Sequence, residues 1–167
     1  MKEKIRENLK DAFAGESQAH MKYMAFADKA EKENLPNVAR LFRANSFAEQ
    51  IHATNHLRTL SGIGNTSDNL KEAIEGETYE VDEMYPSFIS TAQEEQEKAA
   101  ETANQWALEA EKVHAGLYRK AKSAVDNGQD MEFMPIHVCQ VCGFTVEGEA
   151  PGKCPVCGSP KDKFSRF

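Results

Sequence analysis

The sequence predicts a mainly α fold, in which a bundle of four long helices precedes a small metal-binding domain with four cysteines. Apolar residues recur at spacings of three and four along four long segments before residue 126. The motif Glu-x-x-His lies on two of these stripes, in AEQIHA and AEKVHA. All four cysteines fall within 139–157, where Gly and Pro accumulate and the helical pattern ends. We therefore predict a helical domain over residues 1–130 and a metal domain over 131–167.

Composition and charge argue against nucleic-acid-binding and membrane-spanning classes of protein. The chain has 167 residues, 40% of them hydrophobic, and a net charge of −7. This acidic balance argues against a nucleic-acid partner. No apolar run approaches the roughly 18–20 residues that cross a membrane. The N-terminus, MKEKIRENLK, is charged like a helix start rather than apolar like a signal segment, so we expect a cytoplasmic location.

Four helices follow from the periodic pattern and its interruptions. Pro36 breaks the first stripe, because proline suits the start of a helix better than its interior. Glycines in SGIGNTSDN end the second. The predicted helices span 3–33, 37–60, 79–94 and 97–125. The connection 61–78 is long for a compact bundle, although 68–75 has room for a helical turn, and we interpret it as a crossover between bundle halves.

The two halves resemble each other. At an offset of 62 residues, Tyr23 aligns with Tyr85, and the two Glu-x-x-His motifs align with each other. Glu16 aligns with Thr78 and needs a two-residue displacement to reach Glu80. The sequence thus indicates an imperfect internal repeat of a helix pair.

A single Glu-x-x-His usually marks a solvated helix face. Here the motifs Glu49–His52 and Glu111–His114 continue apolar stripes, so they face inward. Five carboxylates would repel each other at one depth of the bundle unless cations neutralise them. These are Glu16, Glu49, Glu80, Glu83 and Glu111. Two divalent cations would do so, and carboxylates with imidazoles suit iron or manganese, as in ferritin-like dinuclear proteins.

Other residues near these stripes have less specific interpretations. Tyr23, which we include among the candidate catalytic residues, and Tyr85 either hydrogen-bond metal-bound carboxylates or simply pack in the core. His20 is expected to be a supporting or core histidine. Phe47 and Ile51 lie on the face of the second predicted helix that is opposite Glu49 and His52, and two apolar faces on one helix suggest a subunit interface.

The cysteines form two C-x-x-C pairs, Cys139 with Cys142 and Cys154 with Cys157. Such spacing is a strong signal for a four-thiolate metal site. A structural zinc ribbon is the alternative, and spacing alone favours it. The redox-capable dinuclear site on the same chain favours iron instead. A glycine after each pair, Gly143 and Gly158, lets the backbone turn towards the sulfurs.

These motifs together resemble the rubrerythrin family over essentially the whole chain. The matching segments are AGESQA, AEQIH, EVDEMYPSF, EAEKVH and CPVCGSPKDKF. The resemblance implies a ferritin-like di-iron domain, a rubredoxin-like domain with one iron, and reduction of hydrogen peroxide to water. It implies as di-iron ligands Glu16, Glu49, Glu80, Glu83, Glu111 and His114. It further implies that His52 binds iron in the reduced state and that Glu83 replaces it on oxidation, which makes both candidate catalytic residues.

Partners follow from the same resemblance. GIGNTS lacks the dinucleotide fingerprint, so we predict no bound nucleotide and an external donor, either rubredoxin or an NAD(P)H-dependent reductase. Family members are homodimers, some with helix pairs exchanged between subunits, and the 61–78 connection would permit such exchange.

Two other classes of function would each explain part of the sequence. A ferritin-like iron-storage oxidase shares the helical bundle but needs no cysteine module. A zinc-ribbon interaction module shares the cysteines but does not need the Glu and His residues.

Overall fold

The computed structural model describes residues 1–167 and divides them into two compact units, Met1–Gly64 and Asn65–Phe167. The helical elements are α1 (Glu3–Lys32), α2 (Pro36–Thr59), α3 (Thr66–Tyr79), a π-helical segment (Glu80–Met84), α4 (Tyr85–Glu94) and α5 (Lys98–Asp126). The strands are β1 (Ile136–Cys139), β2 (Thr145–Glu147) and β3 (Phe164–Arg166). None of the helices combines the length and the apolar character needed to cross a membrane.

The first unit is a helical hairpin of α1 and α2. Asn34 adopts a left-handed φ of 59° in the tight connection, and Pro36 opens α2. Small residues line the contact between the helices, since Ala27, Ala39 and Ser46 are all fully buried. Their size lets the helix axes approach closely, and this approach sets the positions of the side chains further along both helices.

The second unit begins with another helical hairpin, formed by α3, the π-helical segment and α4 against α5. The Asn65 side chain caps α3 by accepting a hydrogen bond from the Asp68 N–H at 2.9 Å. Across the hairpin, the Arg119 guanidinium donates to Thr78 Oγ1 at 2.8 Å. The π-helical segment inserts into the helix between α3 and α4. Such segments alter the direction in which the flanking side chains point, and they are frequent at functional sites.

The C-terminal part of the second unit is a three-stranded antiparallel sheet in the order β2-β1-β3. It lies against α5, where Lys120 Nζ donates to the Glu147 carboxylate at 2.7 and 2.9 Å. Gly143 and Gly158 both have a φ of 77°, as predicted from their place after each cysteine pair. Their N–H groups bond the carbonyls of Cys139 and Cys154 at 2.9 Å, so the two pairs form matching turns.

The predicted mainly α fold with a four-cysteine module is confirmed. The observed bounds of the first, second and fourth predicted helices differ from the predictions by one residue at each end or less. The third helix begins at Thr66 rather than at residue 79, so the long predicted crossover is wrong, and only residues 60–65 connect α2 to α3. The division of the chain at residues 130 and 131 stays a prediction.

Candidate metal centres

The first carboxylate–histidine group consists of Glu16, Glu49 and His52, all in the first unit. Glu16 comes from α1, and the other two lie one turn apart on α2. His52 Nδ1 is 3.0 Å from Glu49 Oε2 and 3.9 Å from Glu16 Oε1. The hairpin thus points two carboxylates and one imidazole nitrogen at a common position.

The second carboxylate–histidine group consists of Glu77, Glu111 and His114, all in the second unit. Glu77 comes from the last turn of α3, and the other two lie one turn apart on α5. His114 Nδ1 is 2.6 Å from Glu111 Oε2 and 3.8 Å from Glu77 Oε1. Glu111 and His114 correspond to Glu49 and His52 in the predicted repeat, but the third residue of this group is Glu77 rather than Glu80, which the repeat predicted as the counterpart of Glu16.

The second group is electrostatically unfavourable without a cation. Burial, a hydrogen bond with Glu111 and the charge of that residue raise the pKa of Glu77 to about 7. Burial and the charge of Glu111 also raise the pKa of Glu80. Burial raises the pKa of the Tyr85 hydroxyl, and the charges of Glu111, Glu80 and Glu77 add to this effect. Negative charge on the carboxylates of Glu77, Glu80 and Glu111 is therefore energetically unfavourable in this region.

The donor atoms in each group fit a metal ion. Within each group, one donor atom from every residue lies within 4.8 Å of the others. Ligands about 2.0–2.2 Å from a common ion lie at most about 4.4 Å apart, so small side-chain adjustments suffice. Buried Glu77 Oε2 has no hydrogen-bond partner, although a buried carboxylate oxygen normally has one. A hard divalent cation would supply the missing partner and the missing positive charge.

Two predicted ligands lie outside these closely spaced groups. Glu80 is half-buried in the π-helical segment, where its charge acts on Glu77. Glu83 is exposed and lines a surface cleft with Tyr79 and Asp82. The structure therefore brings together Glu16, Glu49 and His52 in one unit and Glu111 with His114 in the other. The ligand roles of Glu80 and Glu83 stay predictions.

The remaining polar candidates have defined neighbours. The Tyr23 ring packs against Phe26 and Phe42, with centroid distances of 6.3 and 6.1 Å. His20 Nδ1 lies 2.9 Å from both the carbonyl and the hydroxyl oxygen of Ser46, across the α1–α2 contact. His20 thus supports the hairpin, as expected, and the catalytic role of Tyr23 stays a prediction.

Sequence reasoning missed Glu77 as a member of the second group. The predicted third helix begins at residue 79, which places Glu77 in a connection rather than on a helix. The signal that would have placed it on the helix is Asn65 followed three residues later by Asp68, a recognisable helix start.

The four-thiolate group consists of Cys139, Cys142, Cys154 and Cys157. Cys139 Sγ lies 3.7 Å from Cys157 Sγ, and Cys142 Sγ lies 3.5 Å from Cys154 Sγ. A tetrahedral ion with metal–sulfur bonds of about 2.3 Å requires sulfurs about 3.8 Å apart, so these spacings fit such an ion. A hydrogen bond with the Ser159 hydroxyl lowers the pKa of Cys157 to about 6, whereas burial raises the pKa of the Cys142 thiol, so a cation is needed for both to be thiolates.

Comparison with known proteins identifies both parts of the chain. The family model described as rubrerythrin matches residues 7–122. The model described as the rubredoxin-like domain of rubrerythrin matches residues 137–165. The first match contains both carboxylate–histidine groups, and the second contains the four-thiolate group.

Similarity extends over nearly the full length of named relatives. Rubrerythrin-2 of Clostridium acetobutylicum is 41% identical over 95% of this chain and 94% of the relative. Nigerythrin of Nitratidesulfovibrio vulgaris is 38% identical over 96% of this chain and 85% of the relative. A solved structure of fully reduced, all-ferrous nigerythrin is 36% identical, with a TM-score of 0.57, over 97% of this chain and 86% of that one.

The donor sets agree with these relationships. The carboxylate and histidine residues suit two irons, and the four cysteines suit one more, so the residues fit three iron atoms per chain. This chain belongs to the rubrerythrin family, and it combines a ferritin-like helical part with a rubredoxin-like four-cysteine module.

Proposed function

We propose that this chain is a peroxidase that reduces hydrogen peroxide to water in defence against oxidative stress. The observation that carries the proposal is the presence of two carboxylate–histidine groups and a four-thiolate group in one member of the rubrerythrin family. Each peroxide molecule requires two electrons and two protons and yields two water molecules. We propose the cytoplasm as the place where the chain works.

The proposed di-iron centre would take its ligands from the carboxylate and histidine residues of the helices. The proposed ligands are Glu16, Glu49, Glu80, Glu83, Glu111 and His114, with His52 in the reduced state. Two irons held by these residues would supply the two electrons that the reduction of one peroxide molecule requires. The protein contributes charge balance, since its carboxylates offset the positive charge of the cations.

His52 and Glu83 would bind iron alternately. An imidazole suits the reduced metal, and a harder carboxylate suits the oxidised metal. The His52 side chain is 53% exposed, and its Nδ1 lies 3.0 Å from Glu49 and 3.9 Å from Glu16 in the first unit. Glu83 is exposed in a cleft. Neither residue is therefore held by tight packing, and this freedom supports a role that requires movement.

The four-thiolate group would pass electrons to the di-iron centre one at a time. Iron bound by four thiolates cycles between two oxidation states without needing an open coordination position. The electrons would come from rubredoxin or an NAD(P)H-dependent reductase, because the sequence carries no dinucleotide-binding fingerprint.

We further propose that the chain works as a homodimer. Phe47 and Ile51 on α2 are 63% and 45% exposed, although both are large and apolar. A helix face with such residues commonly meets a partner. A second copy of this chain is the proposed partner, and exchange of helix pairs between the two copies is one form the dimer would take.

Loss of Glu111 tests the centre directly. We expect Glu111→Ala to remove iron from the carboxylate–histidine groups and to spare the four-thiolate iron, because the cysteines bind independently of that residue. Glu109→Ala is the matched control, since Glu109 lies on the same helix but forms a surface ion pair with Lys112 at 2.6 Å. Iron analysis and visible spectra, recorded anaerobically before and after addition of peroxide, provide the measurement.

The same experiment separates the proposed function from its rivals. Unchanged iron content in Glu111→Ala would contradict the assignment of the centre. A colourless wild-type protein that contains only zinc would favour the zinc-ribbon class. Assembly into a large shell, seen by gel filtration, would favour iron storage.

A further inference from the structure

The four-cysteine module directly contacts a predicted iron ligand in the second unit. His114 Nε2 lies 2.8 Å from Thr145 Oγ1, at the start of β2. Thr145 is 4% exposed, so water does not compete for this hydrogen bond. The other ring nitrogen, Nδ1, is hydrogen-bonded to Glu111 Oε2 at 2.6 Å and lies 3.8 Å from Glu77 Oε1. The two sides of one imidazole therefore meet the metal-binding carboxylates and the module, respectively.

The direction of the hydrogen bond follows from the surroundings of Thr145. Its hydroxyl group has a single hydrogen, which it donates to the Gly143 carbonyl at 3.1 Å. Its oxygen then offers a lone pair to His114, so His114 Nε2–H must be the donor. Because Thr145 holds the hydrogen on Nε2, a metal ion would bind at Nδ1, in place of the hydrogen bond between Nδ1 and Glu111.

Thr145 is itself held firmly by the module. It pairs with Val138 in the sheet, beside the metal-binding Cys139. The neighbouring Phe144 carbonyl accepts a hydrogen bond from the Cys139 N–H at 2.9 Å. The position of the hydroxyl group therefore depends on the same backbone that shapes the cysteine site.

We propose that Thr145 is a positioning residue, which fixes the tautomer and the ring orientation of His114 so that Nδ1 is ready to bind metal. This inference rests on the proposed function, because it assumes that His114 is a metal ligand. A ligand histidine commonly donates its second N–H to an oxygen acceptor, and this bond sets the tautomer. Here the acceptor belongs to the electron-transfer module, so folding of the module prepares the di-iron centre.

The alternative is that the bond merely attaches the module to α5. A second attachment, the Lys120–Glu147 ion pair, lies about two helical turns away on the same helix and does not touch His114. A variant without this ion pair should attach the module to α5 less firmly, but it should keep the hydrogen of the His114 ring on Nε2. Comparison of the two contacts therefore separates positioning from attachment.

The experiment uses the full chain with zinc in the four-thiolate group and measures zinc binding to the carboxylate–histidine groups by competition with a chelator. We expect Thr145→Val, which keeps the shape but loses the hydroxyl, to weaken binding by about tenfold or more. Thr145→Ser should restore it, and Lys120→Met should leave it unchanged. In parallel, ¹⁵N NMR of histidine-labelled protein should show a protected His114 Nε2–H in the wild type and the Ser variant, and its loss in Thr145→Val.

Unchanged affinity and an unchanged Nε2–H signal in Thr145→Val would overturn the inference, as would an equal loss of affinity in Lys120→Met. His114→Ala distinguishes this failure from failure of the proposed function. If His114→Ala weakens zinc binding while Thr145→Val does not, only the positioning role fails. If His114→Ala has no effect, His114 is not a ligand, and both proposals fail.

Discussion

At the scale of single residues, the unpartnered oxygen of Glu77 carries the clearest evidence for a bound cation. Glu77 Oε2 is buried without a hydrogen bond, and the Glu77 carboxyl group lies beside Glu111. A buried carboxylate in this position is destabilising unless it is protonated or binds a cation. Glu77 therefore belongs with Glu111 and His114 in any account of the centre, either as a ligand or as a support for one.

We expect Glu77→Gln to lower the metal affinity of the carboxylate–histidine groups by about tenfold or more, because it removes a negative charge next to the cation. Iron per chain and competition with a chelator provide the measurement. Glu75→Gln is the control, since Glu75 lies on the same helix, 67% exposed, and pairs only loosely with Lys71 at 3.8 Å. Equal iron affinity in the two variants would show that Glu77 does not act on the metal.

For Glu83, in contrast to Glu77, we expect that a substitution leaves iron binding to the reduced protein intact. If it binds only the oxidised metal, Glu83→Ala should leave the reduced protein fully loaded with iron while peroxide turnover falls, since the oxidised centre loses a hard ligand. Anaerobic iron analysis and steady-state peroxidase assays test the two parts. Asp82→Ala, at an exposed neighbouring position, is the control. Loss of iron from the reduced Glu83→Ala protein would make Glu83 a permanent ligand.

At the scale of secondary structure, the helices with an unbroken period were predicted well and the interrupted one was not. The stripe along α5 runs without a break, and its predicted bounds differ by one residue at each end. The π-helical segment Glu80–Met84 shifts the angular position of the residues that follow it, so α3 and α4 do not share one apolar stripe. A constant period therefore predicts only the later part of this helical segment and not its start at Thr66. The sequence pattern places Glu80 among the clustered carboxylates, but it does not show the π-helical segment that orients its side chain, and its ligand role stays a prediction.

Deletion of one residue tests whether the π-helical segment shapes the metal centre. A π-helical turn holds one more residue than an α-helical turn, so removal of exposed Asp82 should convert it to continuous α-helix. We expect circular dichroism to show unchanged helix content, because both flanks keep their own packing. Iron loading of the carboxylate–histidine groups should fall, since Glu80 and Glu83 then point in different directions relative to Glu77. Full iron loading of the deletion variant would show that the segment has no part in shaping the centre.

At the scale of the whole molecule, the sequence indicates a duplicated helix pair and a four-cysteine module, and the structure contains two helical hairpins and a small sheet, with the sheet in the same compact unit as the second hairpin. The cysteine site could be predicted in full, because two C-x-x-C pairs fix both the ligands and the turns. The contact between the module and α5 could not be predicted. His114 and Thr145 are 31 positions apart, and no local pattern links them.

This contact sharpens the test of how the two iron centres divide the work. Truncation after Asp130 would remove Thr145 along with the cysteines, so the double variant Cys142→Ser, Cys157→Ser is the better choice. We expect the variant, once chemically reduced, to oxidise its di-iron centre in a single turnover with peroxide. Steady-state NADH consumption with a partner reductase should then nearly stop, because electrons no longer pass through the four-thiolate iron.

Stopped-flow spectroscopy and NADH assays measure the two roles separately, and di-iron content is checked in each sample. Steady-state turnover equal to wild type would refute the relay and favour a structural, zinc-ribbon role for the module. Loss of the single turnover with the di-iron centre fully loaded would place part of the peroxide chemistry in the module. A fall in di-iron loading itself, in parallel with the effect of Thr145→Val, would mean that the thiolate metal shapes the His114 contact as well as carrying electrons.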